Sequence, residues 1–199
     1  MQNELLAQYP EANLDSGARK GELCGLRWSD VDLDAGTVTY VRQLTKAGRT
    51  PVFGPIKNDT PRTVVLSAAT IALLREHKRA QAAIKMANRK AYHDLGLVFA
   101  KEWGHLHGHA DSLGLPLQAN NMGQHEFARI IKAAGVPPIT IHGLRHTCAT
   151  LLLKAGVPPQ VVQQRLGHRG IDVTLGIYAH ALPSMQQDAA QRLGALLHG

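Results

Sequence analysis

Three shortages bound what this chain does. Only two cysteines occur among its 199 residues. Cys24 and Cys148 both fall in apolar stretches that read as helix, so they are expected as buried free thiols in a reducing compartment, and a disulfide scaffold is disfavoured. No apolar run approaches the roughly 20 residues that cross a bilayer. The start, Met1 to Pro10, also lacks a basic region followed by a hydrophobic stretch, so the expected setting is cytoplasmic, with no membrane contact. Acids are the third shortage: 15 Asp and Glu face 22 Lys and Arg, giving a formal charge of +7 and a sequence pI near 9.7. Between Lys78 and Lys90, Arg79, Lys85 and Arg89 add to the basic run and no acid interrupts it. An excess of this kind points toward a polyanionic partner, with plain solubility charge as the competing explanation.

What is present is enough apolar residue, 44%, to bury a core of one domain or of one domain with an appendage. Residues 1–16 are short, polar and interrupted by Pro10, so they are expected to be a poorly structured or truncated start, with residues 17–199 as the folded unit. Leu23, Leu26 and Arg27 with Trp28 have helical spacing, and Ser29-Asp30 reads as the exit from that helix. Alternation through Val31 and Leu33, a turn at Asp34-Ala35-Gly36, and alternation again from Thr37 to Val41 predict a hairpin. Thr63 to Leu66 supplies a third strand after a turn at Asn58 to Pro61, with Lys57 at the turn's start. Ser67 can cap a long helix toward Lys90. Leu97-Val98-Phe99 is extended, residues 104–116 form a Gly- and His-rich loop, and Phe127, Ile130 and Ile131 mark another helix. The last third reads as helices: one capped by Thr140 and closed by Gly156, one beginning near Pro158 and running to Leu166, a short one capped by Asp172, and a final amphipathic one from Ser184 with Met185, Leu193, Leu196 and Leu197. The expected class is α+β, mostly α-helical, with a small three-stranded antiparallel sheet at one edge.

The most specific signal lies in that last third. His142 and Arg145 are three apart and His142 and His146 four apart, so on a helix they share one face. Such a face offers a guanidinium fork, which matches two phosphate oxygens with parallel hydrogen bonds, beside imidazoles able to move protons. Tyr178 lies downstream. A phenol with an ordinary pKa of about 10 is a poor nucleophile at neutral pH unless cations stabilise the phenolate and a base removes its proton. His142 is a candidate for that base, and Lys57 is a candidate acid for a departing sugar oxygen. Taken singly, Tyr178 is a core or rim residue and His146 a structural histidine more often than either is catalytic. Their joint occurrence in order is what carries weight.

Those residues resemble the catalytic domain of the tyrosine recombinases, the phage integrase family, over roughly Gly17 to Leu197. Arg19 in Gly17-Ala18-Arg19-Lys20-Gly21-Glu22-Leu23 matches the first catalytic arginine, and Lys57 before Thr60-Pro61-Arg62-Thr63-Val64 matches the hairpin lysine. His142 and Arg145 match the His-x-x-Arg pair, His168 in Leu166-Gly167-His168 matches the later His or Trp position, and Tyr178 matches the nucleophile. The resemblance implies site-specific cleavage and rejoining of double-stranded DNA through a 3′-phosphotyrosyl intermediate, without cofactor, metal or ATP. Arg19, Arg145 and His168 would hold the phosphate, His142 would act as base and Lys57 as acid. It also implies a homo-oligomer, a tetramer on DNA, docked through the carboxyl-terminal helix. Relatives carry a separate amino-terminal helical domain, which this sequence is expected to lack.

Two rival classes are weaker. A helix-turn-helix reader would use residues 142–166 and leave Lys57, His168 and Tyr178 unexplained; its subtler form is a recombinase remnant that binds DNA without cutting it. Zinc hydrolysis would use His142 and His146, but Gly143 stands where a metalloprotease has glutamate. His105, His107 and His109 read as a solvated loop in preference to a metal site.

Overall fold

The computed structural model describes residues 4–57, 60–102, 112–117, 128, 131–132, 135, 137–179, 190–191 and 193–197. It begins with a helix, α1 (Glu4–Ser16), where the sequence suggests a ragged start. Ala12, Asn13 and Ser16 fall on one side of it and are all buried, and the helix packs on α3 and α4, described below. The fully buried positions described on it are small or polar, with Leu14 packed more loosely against both hydrophobic clusters. Ser16 Oγ donates to the Ala12 carbonyl at 2.6 Å and Asn13 Nδ2 to the Ala18 carbonyl at 3.2 Å, while Asn13 Oδ1 is buried with no hydrogen-bond partner among the described residues. Pro10 lies inside α1, where it removes one hydrogen bond without ending the helix. Gly17, at φ +62°, closes it in the left-handed conformation; a Cβ there would collide with Leu166.

After Arg19 comes the short α2 (Lys20–Cys24), with a 3₁₀ turn at Trp28–Asp30. The helix expected to run through Trp28 therefore stops at Cys24; Leu26 is buried in extended chain. Strands β1 (Val31–Asp32), β2 (Thr37–Tyr40) and β5 (Arg62–Val65) form the expected three-stranded antiparallel sheet in the order β1-β2-β5. Its register pairs Val31 with Val38 and Tyr40 with Arg62. A second hairpin, β3 (Arg42–Lys46) with β4 (Val52–Pro55), is inserted between β2 and β5. It lacks a sequence signature because it is half-solvated: Leu44 is its one buried residue, so apolar alternation never develops.

Helix α3 (Ala68–Ala87) starts where Ser67 Oγ accepts the Thr70 amide at 3.2 Å. It buries Thr70, Leu74, His77 and Gln81, helical spacing with unusual polarity, against segment 97–100, where the expected extended piece bends at Val98 and Phe99 between two isolated bridges. The carboxyl-terminal third contains α4 (Ile141–Lys154), α5 (Pro159–Leu166) and α6 (Ile171–Ala179). Thr140 Oγ1 accepts the Gly143 amide at 2.9 Å, as the cap reading requires. Asp172 lies in the first turn of α6 and is not its cap, since the helix already starts at Ile171. Cys148, Ala149, Leu153, Val162 and Leu166 make a local core between α4 and α5. The larger core joins α1 and α2 to the sheet and α3, and takes Ile141 and Leu144 from α4. Cys24 and Cys148 are both buried, and neither forms a disulfide.

Residues 190–191 and 193–197 are helical, with Leu193, Leu196 and Leu197 exposed. Ser184, Met185, Phe127, Ile130, His105, His107 and His109 lie outside the described residues. Among the described residues, no helix is long and apolar enough to cross a membrane.

Candidate active site

Arg19 occupies the amino-terminal cap position of α2, its backbone amide donating to Glu22 Oε2 at 2.7 Å. Its side chain turns the other way along the same carboxylate: Nη1 reaches Glu22 Oε1 at 3.0 Å and Nη2 reaches the Gly167 carbonyl at 2.9 Å. Two bonds leave other N–H groups of a guanidinium's five donors for a ligand. Arg19 retains 23% side-chain exposure, so they remain accessible.

Arg145 lies deeper, at 4% exposure. Its Nη1 donates to the Gly17 carbonyl at 2.6 Å, so the cap of α1 holds the second arginine of the site. The other terminal nitrogen, Nη2, is buried and has no hydrogen-bond partner among the described residues. Burial first, and then the positive charge of Arg19, lower the Arg145 pKa to about 10, with Glu22 acting in the opposite sense. A guanidinium left partly unpaired in the interior is costly. An anion brought within reach of Nη2 would offset that cost.

His168 is placed by the end of α5. Gly167 adopts φ +64°, its amide bonds the Gln164 carbonyl at 3.1 Å and the His168 amide bonds the Gln163 carbonyl at 3.1 Å, the paired closure of a Schellman motif. The reversal sends His168 back over the helix end, where its Nδ1 shares a 2.8 Å hydrogen bond with Thr174 Oγ1 of α6. Nε2 is the nitrogen left for a ligand. Burial, followed by the charges of Arg145 and Arg19, pushes its pKa down to about 4. His142, at the amino end of α4, meets His146 edge to face with ring centroids 4.9 Å apart. Partial burial and then the charges of His146, Arg145 and Arg19 hold the His142 pKa below the ordinary value. A depressed pKa leaves an imidazole neutral at pH 7, able to accept a proton.

Four of the predicted residues are thus brought together: Arg19 lies close enough to lower the pKa values of Arg145, His142 and His168, and Arg145 those of both histidines. Lys57 is exposed in the turn after β4, next to Ile56, which lines a cleft of about 530 Å³ together with Arg19, Arg62, Gly167 and His168. Tyr178 lies on α6, the helix that supplies Thr174 and that packs on α4 and α5. Its side chain is outside the described residues.

Motif reading gave no role to Glu22 or Arg62. Glu22 is fully buried, and Arg62 grips it with Nη1 on Oε1 at 3.0 Å and Nη2 on Oε2 at 2.6 Å. Burial raises the Glu22 pKa, but the hydrogen bonds and charge of Arg62, with those of Arg19, outweigh it and hold the carboxyl below its ordinary value. Two signals were legible: a glutamate three residues after a helix-capping position, and an arginine on the same strand face as buried Val64.

The sequence profile of the phage integrase family matches residues 8–185. The chain is 31% identical to a "Tyrosine recombinase XerC-like" protein of Caldanaerobacter subterraneus subsp. tengcongensis over 194 residues, which cover 91% of this chain and 47% of that protein. It is 26% identical to the ICEBs1 integrase of Bacillus subtilis, over 92% of this chain and 46% of the relative. The chain thus spans about half the length of the curated relatives it matches. Its fold is that of the Tn1549 transposon integrase solved in complex with transposon right end DNA, at a TM-score of 0.73 and 23% identity, over 94% of this chain and 58% of that one. With the profile extending from α1 to beyond Tyr178, and with the paired arginines and neutral histidines in place beneath it, the chain belongs to the phage integrase family.

Proposed function

We propose that this chain is the catalytic part of a site-specific DNA recombinase, cleaving and rejoining strands of double-stranded DNA. The observation that carries the reading is Arg145, buried with one nitrogen unpartnered beside Arg19. Three guanidiniums, Arg19, Arg62 and Arg145, surround one carboxylate, Glu22, a surplus that suits a phosphodiester gaining negative charge as it is attacked.

Arg19 and Arg145 clamp the nonbridging oxygens, and His168 adds a hydrogen bond through Nε2. The Tyr178 oxygen attacks phosphorus, His142 takes the phenolic proton, and the bond from phosphorus to the 5′ oxygen breaks as Lys57 protonates that oxygen. The product is a 3′-phosphotyrosyl linkage that conserves the bond energy for rejoining by another 5′-hydroxyl, so neither metal nor ATP takes part in the steps. Relatives solved with DNA, including the Tn1549 integrase, support the choice of substrate. The exposed Leu193, Leu196 and Leu197 support docking of this helix on a neighbouring protomer in a tetramer on DNA. A location at the nucleoid follows from the same reading.

The test is incubation with a pool of nicked duplexes of randomised sequence, followed by denaturing electrophoresis. A covalent protein–DNA band is expected, and Tyr178→Phe is expected to remove it while sparing binding, since only the hydroxyl is lost. Strand cleavage retained by that variant refutes the assignment of Tyr178. Binding without any covalent band from the parent chain favours the DNA-binding remnant instead.

A further inference from the structure

Arg62 sits where three parts of the site meet. It lies on β5, the strand that follows the Lys57 turn, with its guanidinium 4.7 Å from the centroid of the Tyr40 ring. Beyond its two bonds to Glu22, Nε donates to the Arg165 carbonyl at 3.0 Å, on the last turn of α5. The missing side chain of Gly167 makes room for it, because a Cβ there would come within 3.0 Å of Arg62 Cδ. Three of its five donors are therefore committed to protein acceptors, and its side chain is only 9% exposed. Arg19 is more open and, among the described residues, its side chain is committed to Glu22 and the Gly167 carbonyl. Both of those anchors are themselves held by Arg62, one by a bidentate pair and the other through the neighbouring carbonyl of the same helix end.

We propose that Arg62 is a positioning residue: it fixes Glu22 and the 165–168 turn against each other, so that Arg19 and His168 meet the same phosphate. The proposal rests on the recombinase reading for its substrate. The planar fork is essential to it. A lysine at this position keeps the positive charge beside Glu22, but as a single ammonium it cannot hold both carboxylate oxygens and the Arg165 carbonyl in fixed directions.

The test uses the whole chain carrying Arg62→Lys and two probes. Inorganic phosphate is titrated while the imidazole resonances of His168 are followed by NMR, and covalent adduct formation is timed at saturating nicked duplex. The variant is expected to bind phosphate at least fivefold more weakly and to form adduct at least tenfold more slowly. Half-saturation with a fluorescent random-sequence duplex is expected to stay within twofold, because that affinity is spread over many backbone phosphates. Phosphate affinity and adduct rate both within twofold of the parent in a folded Arg62→Lys chain overturn the proposal. Should that variant not fold, Arg62→Gln combined with Glu22→Gln replaces the ion pair by two amides, and a parent-like adduct rate from it overturns the proposal equally. If the parent forms no adduct while phosphate still shifts His168 and Arg62→Lys weakens that effect, the positioning role stands and the recombinase reading is what fails.

Discussion

Glu102 gives the stability of this fold a pH dependence that can be worked out in advance. Its side chain is 2% exposed. One oxygen accepts from Gln81 Nε2 at 3.4 Å, and the other is buried without a partner among the described residues. His77 approaches to 4.0 Å, but its Nε2 already bonds the Val98 carbonyl at 2.6 Å, and burial lowers its pKa, so it offers no positive charge. Burial, only partly offset by the Gln81 hydrogen bond, raises the Glu102 pKa from 4.5 to about 7. The folded chain therefore binds this proton more tightly than the unfolded chain. Stability from this group is fully present below pH 4.5, declines as pH rises toward 7, and is level above that. The shift corresponds to roughly 3 kcal/mol. Glu102→Gln keeps the shape and the acceptor for Gln81 while abolishing the ionisation. At pH 8 it should melt above the parent by roughly 6–12 °C, on the scale for a chain of this size, and at pH 4.5 the two should nearly coincide. Calorimetry or dye-monitored melting from pH 4.5 to 8 makes the comparison. A variant that melts below the parent at pH 8, or an offset that does not change with pH, refutes the reasoning.

Gly167→Ala combines a left-handed backbone with a new contact on Arg62, and should cost about 1–2 kcal/mol in denaturant titrations while slowing adduct formation. An alanine that leaves both unchanged means the turn does not hold the site. Thr174→Val removes the oxygen bonded to His168 Nδ1 at a stability cost of about 1 kcal/mol. It should leave duplex binding intact and slow adduct formation, because the ring loses its fixed tautomer; nitrogen chemical shifts of His168 unaltered by the substitution speak against that bond.

The parts of this protein that follow one period were legible from sequence, and the parts that depend on contacts between segments were not. Thr140 and Ser67 announce helix starts because capping is local chemistry, and β2 shows itself through alternating Val38 and Tyr40. Helix α1 was hidden because Ala12, Asn13 and Ser16, the buried residues described on it, are small or polar and take their partners from backbone carbonyls and distant segments. That omission matters for the site, since Gly17 at its end holds Arg145 across 128 positions of sequence. Arg62 was overlooked for a related reason: as one residue on a short strand it looks like a solvated charge, and only the fold brings Glu22 and the end of α5 around it.

A carboxylate at the centre of the proposed phosphate site needs a physical reason, because Glu22 diminishes the attraction the arginines would exert on an anion. Replacing it with a neutral residue would strengthen the local field, yet leave Arg19 and Arg62 as neighbouring cations with no common acceptor, repelling each other. Glu22 accepts from both, and from the Arg19 amide as well, so it converts repulsion into a fixed arrangement with the surplus charge directed elsewhere. Catalysis by charge stabilisation depends on donors already oriented when the transition state forms, more than on the total charge. Burial first, and then the same concentration of guanidiniums, holds the His142 and His168 pKa values below that of an ordinary imidazole. In the proposed reaction the arginines that gather the phosphate add to burial in keeping His142 free to accept a proton, so one cluster of charges would serve both functions.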